Sequence, residues 1–315
     1  MDKIFRSYYV WPKFPSISMS GNSCMLHCKH CNHKYLNDMQ SITKPEKFLE
    51  TCRQLADNDT VGLLLSGGCN KNGEMLNLKK LLPVVKQVKK ETNLIIKLHT
   101  GFVDKTLAEN IVSAGVDIAS VEVVGSDKTI KEIFDFNATT KSYMSTLQNL
   151  ESAGMSYIVP HICIGLHYGK LNGEYNALKM IKEFCNPSLL VMIIFRPTKG
   201  TVLENCKIPY PNDISVVVKK VKEMFPDKDI SLGCIRPRIE QREEIELAAL
   251  QAGVNRMEIP SKNTLKSAKK MGYTIRTVYA CCALPEALEG LAVKSSIGNI
   301  KGHSLTQIQS FLQII

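Results

Sequence analysis

The sequence predicts an α/β fold: a (β/α)8 or partial TIM-type barrel over residues 1–274, followed by a C-terminal extension over 275–315. Three observations predict it. Short apolar runs alternate with longer amphipathic stretches, and eight such units occupy about 260 residues, the span of one barrel. The runs are mostly continuous in apolar residues, as strands of a parallel sheet covered on both faces must be. Glycines, cysteines, histidines and charged residues gather at the C-terminal ends of these runs, the end where barrels build their sites. A doubly wound sheet also alternates strands and helices, but it does not collect nearly every strand end around one mouth.

The first strand is SISMS (16–20), leading into a loop rich in cysteine and histidine. KPEKFLETCRQLAD has the 3.6-residue apolar spacing of a helix, and VGLLLS (61–66) is the second strand, closed by two glycines. LKKLLPVVKQVKKET is the next helix and LIIKLH (94–99) the third strand. DKTLAENIVSAG then precedes IASVEVV (118–124), and SYMSTLQNLESAG precedes SYIVPHICI (156–164). The last three strands are LLVMIIF (189–195), DISLGC (229–234) and NRMEIP (255–260). Their intervening helices are EYNALKMIKEFC, ISVVVKKVKEMF and EEIELAALQAG, with KNTLKSAKKMG after the last strand. Four helices stop at Gly115, Gly154, Gly253 and Gly272, as helix C-termini commonly do. From residue 275 the alternation breaks, and the extension is expected to cover the barrel mouth.

Bulk properties narrow the class. With 315 residues, 44% hydrophobic and 22% charged, the chain is long enough for a large core. No apolar run approaches the ~18–20 residues of a membrane span, and MDKIFRSYYVWPKF lacks the apolar core of an export signal. The expectation is a soluble, cytoplasmic protein. Eleven cysteines without an export signal point to metal or cluster ligation for the local groups, and to core thiols for singles such as Cys52 and Cys185. The formal charge of +10 is partly solvated helix surface, as in KKLLPVVKQVKK, and also suits an acidic partner.

Cys24, Cys28 and Cys31 follow the first strand with the spacing C-x3-C-x2-C, and His27, His30 and His33 are interleaved. Structural zinc takes four ligands in two separated pairs, and no second CxxC lies downstream at finger spacing. A zinc knuckle that recruits these histidines, in an RNA-binding protein, remains one reading. A thioredoxin-like pair, Cys28 and Cys31, would leave Cys24 idle. Three thiolates can instead hold three irons of a [4Fe–4S] cluster and leave the fourth open to a ligand.

This loop resembles the signature of radical S-adenosylmethionine (SAM) enzymes, in the biotin synthase-like branch. The resemblance implies that the open iron binds SAM, whose reductive cleavage gives a 5′-deoxyadenosyl radical that abstracts hydrogen from an unactivated C–H. His30 stands where the family usually has an aromatic residue. Ser66-Gly67-Gly68-Cys69 resembles the family's Gly-Gly-Glu motif, which takes the methionine ammonium, with Cys69 in place of Glu. Glu122 and Asp127 are both candidates for the SAM ribose, and Asp127 also reads as a helix N-cap. Ile164 and Gly165 resemble an adenine-contacting stretch, and Arg196 opens Arg-Pro-Thr-Lys-Gly-Thr, a turn of the biotin synthase branch.

Downstream, Cys234 ends the seventh strand, and Cys281 and Cys282 form an adjacent pair. They are candidate ligands of a second iron–sulfur cluster; unrelated buried or partner-facing thiols are the alternative. HTG (99–101), GLHYGKLNGE (165–174), RPTKGT (196–201) and LGCIRPR (232–238) resemble archaeal-type homologues of biotin synthase that include a subunit of a two-protein lipoyl synthase. The resemblance implies sulfur insertion into an octanoyl chain on a lipoyl-carrier protein, a low-potential donor such as ferredoxin or flavodoxin, and a sister radical SAM subunit. A single-cluster mutase, lyase or cofactor-assembly enzyme of the same branch is the alternative. His99, His161 and His167 read as pocket residues that hydrogen bond. Arg196, Arg236 and Arg238 read as anion binders or as partners of acids at the rim.

Overall fold

A computed structural model describes residues 3–238 and 241–296, with side chains as far as residue 292. The strands are Ile4–Tyr8 (β1), Ser16–Ser18 (β2), Gln40–Ser41 (β3), Gly62–Ser66 (β4), Ile95–His99 (β5), Ile118–Glu122 (β6), Tyr157–Ile164 (β7), Leu190–Ile194 (β8), Ile230–Leu232 (β9), Arg256–Glu258 (β10) and Thr274–Val278 (β11). The helices are Pro45–Asp57 (α1), Leu78–Glu91 (α2), Lys105–Ser113 (α3), Asp127–Ile133 (α4), Thr140–Ser152 (α5), Glu174–Phe184 (α6), Pro211–Met224 (α7), Arg242–Ala252 (α8), Lys262–Lys270 (α9) and Glu286–Ser296 (α10).

All strands pair in parallel in one sheet of order β11-β1-β10-β9-β8-β7-β6-β5-β4-β2-β3. From β2 to β10 the sheet is the expected series of eight strands in chain order, with β3 displaced to the edge. The first and eighth strands of that series do not pair with each other. The sheet continues instead into β1 and β11, so the fold is the partial, open form of the TIM-type barrel. Local signals place the helices: Pro45 and Pro211 stand in the first turns of α1 and α7, while the Asp104, Ser126 and Ser261 side chains cap α3, α4 and α9.

Strand alternation divides the apolar residues into two cores. Leu63, Leu65, Ile96, Leu98, Val121 and Ile162 face the helices and pack on residues such as Leu81, Val85, Ile111 and Leu147. Tyr8, Val61, Ile95, Ile118, Val159 and Val191 form a second core on the inner face of the curl. Several of the latter stand at or just before a strand's first residue, so this core fills the end opposite the mouth.

The extension departs from expectation here. Residue 275 lies inside β11, whose register with β1 runs from Ile4↔Thr274 to Tyr8↔Val278. Cys281, Cys282, Ala283 and Leu284 then enter the inner core rather than spreading over the mouth. This strap reaches Lys97 of β5 on one side and Arg256 of β10 on the other, where the Leu284 carbonyl accepts from Arg256 Nη1 at 2.6 Å. The physical reason is apolarity: Ala280, Ala283 and Leu284 are fully buried. Helix α10 then brings Glu289 to Arg6 Nε at 3.0 Å, Arg256 Nη2 at 3.0 Å and the Tyr8 hydroxyl at 2.6 Å. The remainder of the expected extension, 297–315, lies outside the described residues. No described helix is long and apolar enough to cross a membrane.

Candidate iron–sulfur site

The cysteine loop is fixed from three sides. The Met25 amide donates to the Cys69 carbonyl (2.8 Å), the Lys29 amide to Ile133 (2.8 Å), and the Leu203 amide to the Lys29 carbonyl (3.3 Å). The peptides at Cys31, Asn32 and Lys34 turn back on Cys28 and Cys31, with Asn32 and His33 at positive φ of 39° and 65°. His33 donates from its ring to the Leu26 carbonyl, and the His27 and His33 rings lie 5.0 Å apart. Both histidines therefore shape the loop.

Gly68 explains how the loop can lie on the end of β4. A Cβ there would stand 2.2 Å from the Ser23 oxygen and 2.4 Å from the Cys24 Cβ. Gly67 is also tight, with Ser20 Oγ at 3.1 Å from a Cβ. Backbone groups of Ser66-Gly67-Gly68 hold the loop: the Gly68 amide donates to Ser20 Oγ (2.7 Å) and the Ser66 carbonyl accepts from Met19 (2.8 Å). The Cys69 amide donates to Cys24 Sγ at 3.3 Å. Cys28 donates to the Cys31 sulfur, which lowers the Cys31 pKa and raises that of Cys28.

His30 points inward instead, its ring edge-on to Phe134 at 5.1 Å. Its Nδ1 is buried without a hydrogen-bond partner. Burial lowers its pKa, but the Cys31 thiolate and Glu122 outweigh this and the net shift is upward.

Glu122 ends β6 on the inner face and is felt by His30, Cys31 and Cys69. Burial raises its carboxyl pKa, with His30 opposing and Cys31 adding. Asp127 lies elsewhere: its exposed carboxylate accepts from the Thr140 amide at 2.7 Å, and Ser126, not Asp127, caps α4. Strand parity sends the Ile164 side chain outward into the helix-facing core. Gly165, at φ +78°, makes the turn while its amide donates to Glu174 at 2.9 Å. Cys163 takes the inner position in β7, and burial pushes its thiol pKa well up. Arg196 lies over the Tyr35 ring at 5.4 Å, and the Tyr35 hydroxyl bonds Thr198 Oγ1 at 2.9 Å. The turn after β8 thus braces the cysteine loop.

Arg236 is spent within the fold, and so is Arg238 except for its Nε, which is buried without a partner. Arg236 is fully buried, pairing with Glu246 at 2.8 Å and Glu258 at 3.6 Å, while Arg238 pairs with Glu258. His167 bonds Thr129 Oγ1 at 3.3 Å in the loop after β7. The His99 and His161 rings meet edge-to-face at 5.3 Å on the inner face, and burial with the nearby Lys97 charge depresses both, His99 to about 3.

Cys234, Cys281 and Cys282 do come together. They act electrostatically on one another and on Lys97, whose Nζ donates to Cys281 Sγ at 3.3 Å. Cys234 is exposed, and burial together with Glu258 and Cys281 raises its thiol pKa against Lys97 and Arg238. Ser120 and Ser231, inner-facing on β6 and β9, are buried with hydroxyls that have no partner.

No three Cys, His, Asp or Glu side chains among the described residues converge on one point as a mononuclear metal ion requires. A four-iron cube is wider than an ion. Three thiols in one rigid loop, one beside an amide donor, with an unpartnered His30 nitrogen alongside, match its donor chemistry.

Among known families, the 4Fe-4S single cluster domain matches residues 16–149, which include Cys24, Cys28 and Cys31 but not the interior thiols. Biotin synthase of Coxiella burnetii (strain Dugway 5J108-111) is 24% identical over 266 residues, covering 81% of this chain and 78% of its own. The [FeFe]-hydrogenase maturase HydG from Carboxydothermus hydrogenoformans superposes with a TM-score of 0.64 at 12% identity, over 93% of this chain and 72% of that one. Methylornithine synthase (PylB) gives 0.58 at 16% identity, over 87% and 84%. The parallel open barrel with a cysteine loop after its first inner strand is the radical SAM-type fold. Within that class the chain resembles the biotin synthase-like branch.

Proposed function

We propose that this protein is a radical SAM enzyme in which Cys24, Cys28 and Cys31 hold a [4Fe–4S] cluster. The observation that carries the reading is the three-thiol loop seated on Gly68, with Glu122 and the unpartnered His30 nitrogen beside it. When bound, the cluster and SAM supply one-electron cleavage to a 5′-deoxyadenosyl radical that takes hydrogen from an unactivated C–H. Glu122 is suited to accept from the SAM ribose, the Ser66–Gly68 backbone to border the methionine moiety, and Arg196 to keep the loop in place through Tyr35. Neutral His99 and His161 line the inner wall without adding charge. The structure of Streptococcus suis SuiB bound to SAM, at 15% identity and a TM-score of 0.54, has a related fold.

The reaction we favour is sulfur insertion of the lipoyl or biotin synthase type, with a second cluster held by Cys234, Cys281 and Cys282. What supports it is the grouping of these thiols around Lys97 on the inner face of the sheet, the face that also carries the unpartnered hydroxyls of Ser120 and Ser231. The substrate would be an octanoyl chain on an acidic lipoyl-carrier protein, with a ferredoxin or flavodoxin as donor and a sister radical SAM subunit sharing the chemistry. The +10 charge of the chain suits such partners. A single-cluster mutase, lyase or cofactor-assembly enzyme is the second reading, favoured by the likeness to a maturase and to methylornithine synthase.

Anaerobic reconstitution with iron and sulfide counting separates them: about eight irons per chain supports two clusters and about four supports one. Zinc without labile sulfide overturns both. Incubation with SAM and a strong reductant should yield 5′-deoxyadenosine; its absence from cluster-loaded protein overturns the enzyme reading.

A further inference from the structure

We propose that Lys97 is the non-thiol member of the interior site, donating to the Cys281 sulfur and supplying the positive charge that a thiolate-held cluster there needs. This rests on the second-cluster reading above. Lys97 sits in the middle of β5, between Ile95 and His99 on the inner face, and is 3% exposed. Its Nζ lies 3.3 Å from Cys281 Sγ, and the Cys282 and Cys234 thiols also act on it.

The other buried cations around the inner face are met by carboxylates. Arg6 has Asp229, Glu286 and Glu289; Arg256 has Asp229 and Glu289; Arg236 has Glu246 and Glu258. Lys97 has sulfur in that place. A buried cation calls for negative charge opposite it, and what stands opposite Lys97 is sulfur. Thiolates and sulfide provide that charge, and an N–H donated to a ligating sulfur raises the potential of the cluster it belongs to. The contact cannot drift, because both ends of the strap are tied. The Val278 carbonyl accepts from the Tyr9 amide at 2.9 Å, and the Leu284 carbonyl from Arg256. The partnerless hydroxyls of Ser120 and Ser231 leave further polar capacity on the same inner face.

Lys97→Met keeps the stem and removes the charge; Lys97→Arg keeps the charge. After anaerobic reconstitution of the full chain, iron is counted and the clusters are titrated redox-potentiometrically with EPR detection. For Lys97→Met we expect either a fall from about eight irons to about four, or full loading with the second midpoint lowered. The expected drop is at least tenfold in the reduced-to-oxidised ratio at fixed potential, about 59 mV for one electron. Lys97→Arg should restore both quantities. Loading and midpoint unchanged in Lys97→Met overturn the proposal, as does a defect that Lys97→Arg fails to repair, which would assign Lys97 to packing. A wild-type count of about four irons overturns the two-cluster reading itself, a failure seen before any variant is made.

Discussion

Two polar regions lie inside the same curled sheet and are built in opposite ways. Around β1 and β10, charges are closed on one another: Arg6, Arg256, Asp229 and Glu289 form a buried network with the Tyr8 hydroxyl. Around β4 to β7, polar groups are left with sulfur, with each other or with nothing: Lys97 on Cys281, His99 on His161, Ser120 alone, Glu122 beside the thiols. Buried polar groups that are fully satisfied hold a fold, and those left short mark where something else binds. The first region is a floor; the second is the wall of a site.

Substitutions can break that contrast. The largest effect is expected from Cys28→Ala, which should remove the iron of the mouth cluster and take 5′-deoxyadenosine formation to background; persistence of product would refute the ligand assignment. Arg256→Met strips the floor of its central cation and strands Asp229 and Glu289, so it should cost about 3–5 kcal/mol in chemical denaturation. An unfolding midpoint unchanged by Arg256→Met would show that the network contributes no net stability. Gly68→Ala forces a methyl against the Cys24 backbone and should cost about 1–3 kcal/mol together with iron retention. Glu122→Gln should raise the KM for SAM about tenfold while Asp127→Asn, on the surface, leaves it and stability within about 0.5 kcal/mol of wild type. Equal effects of the two would erase the distinction between the acids.

Acid should separate the regions as well. His99 is neutral in the fold, with its pKa depressed by burial and by Lys97 to about 3. The unfolded chain therefore binds the extra proton first, and stability falls as pH drops below about 6.5, by up to about 1.4 kcal/mol per pH unit. Against burial, Arg256 holds the Asp229 carboxyl below its usual range, so the floor gives way at lower pH. In an acid titration, His99→Gln should flatten the loss between pH 6 and 5; an unchanged slope would remove His99 from the account.

The strands β2 and β4 to β10 were legible because most of them are buried on both faces and show as largely apolar runs. Strands β1 and β11 were not. IFRSY and TIRTV carry Arg6 and Arg276 in mid-strand, and the two strands pair with each other from opposite ends of the sequence. The cysteine loop was legible from spacing alone. That Glu122 lies on the inner face and Asp127 does not needed strand parity, since Glu122 shares its face with Ile118 and Ser120; the same parity turns Ile164 outward and Cys163 inward. Lys97 was overlooked because one lysine in LIIKLH reads as a solvent-facing break, and only the inner curl shows what it faces. Tyr35, which carries Arg196, had no signal in the sequence.

The position of β1 between β10 and β11 also sets an order of assembly. Ile4–Tyr8 stays unpaired until residues 256–278 have been made, and such distant parallel pairings form slowly. The loop of Cys24, Cys28 and Cys31 rests on groups no later in the chain than Leu203. The cysteine loop therefore needs nothing from the strap of Cys281 and Cys282 to take its shape, whereas the strap has no place to settle until β1 is paired with β10 and β11.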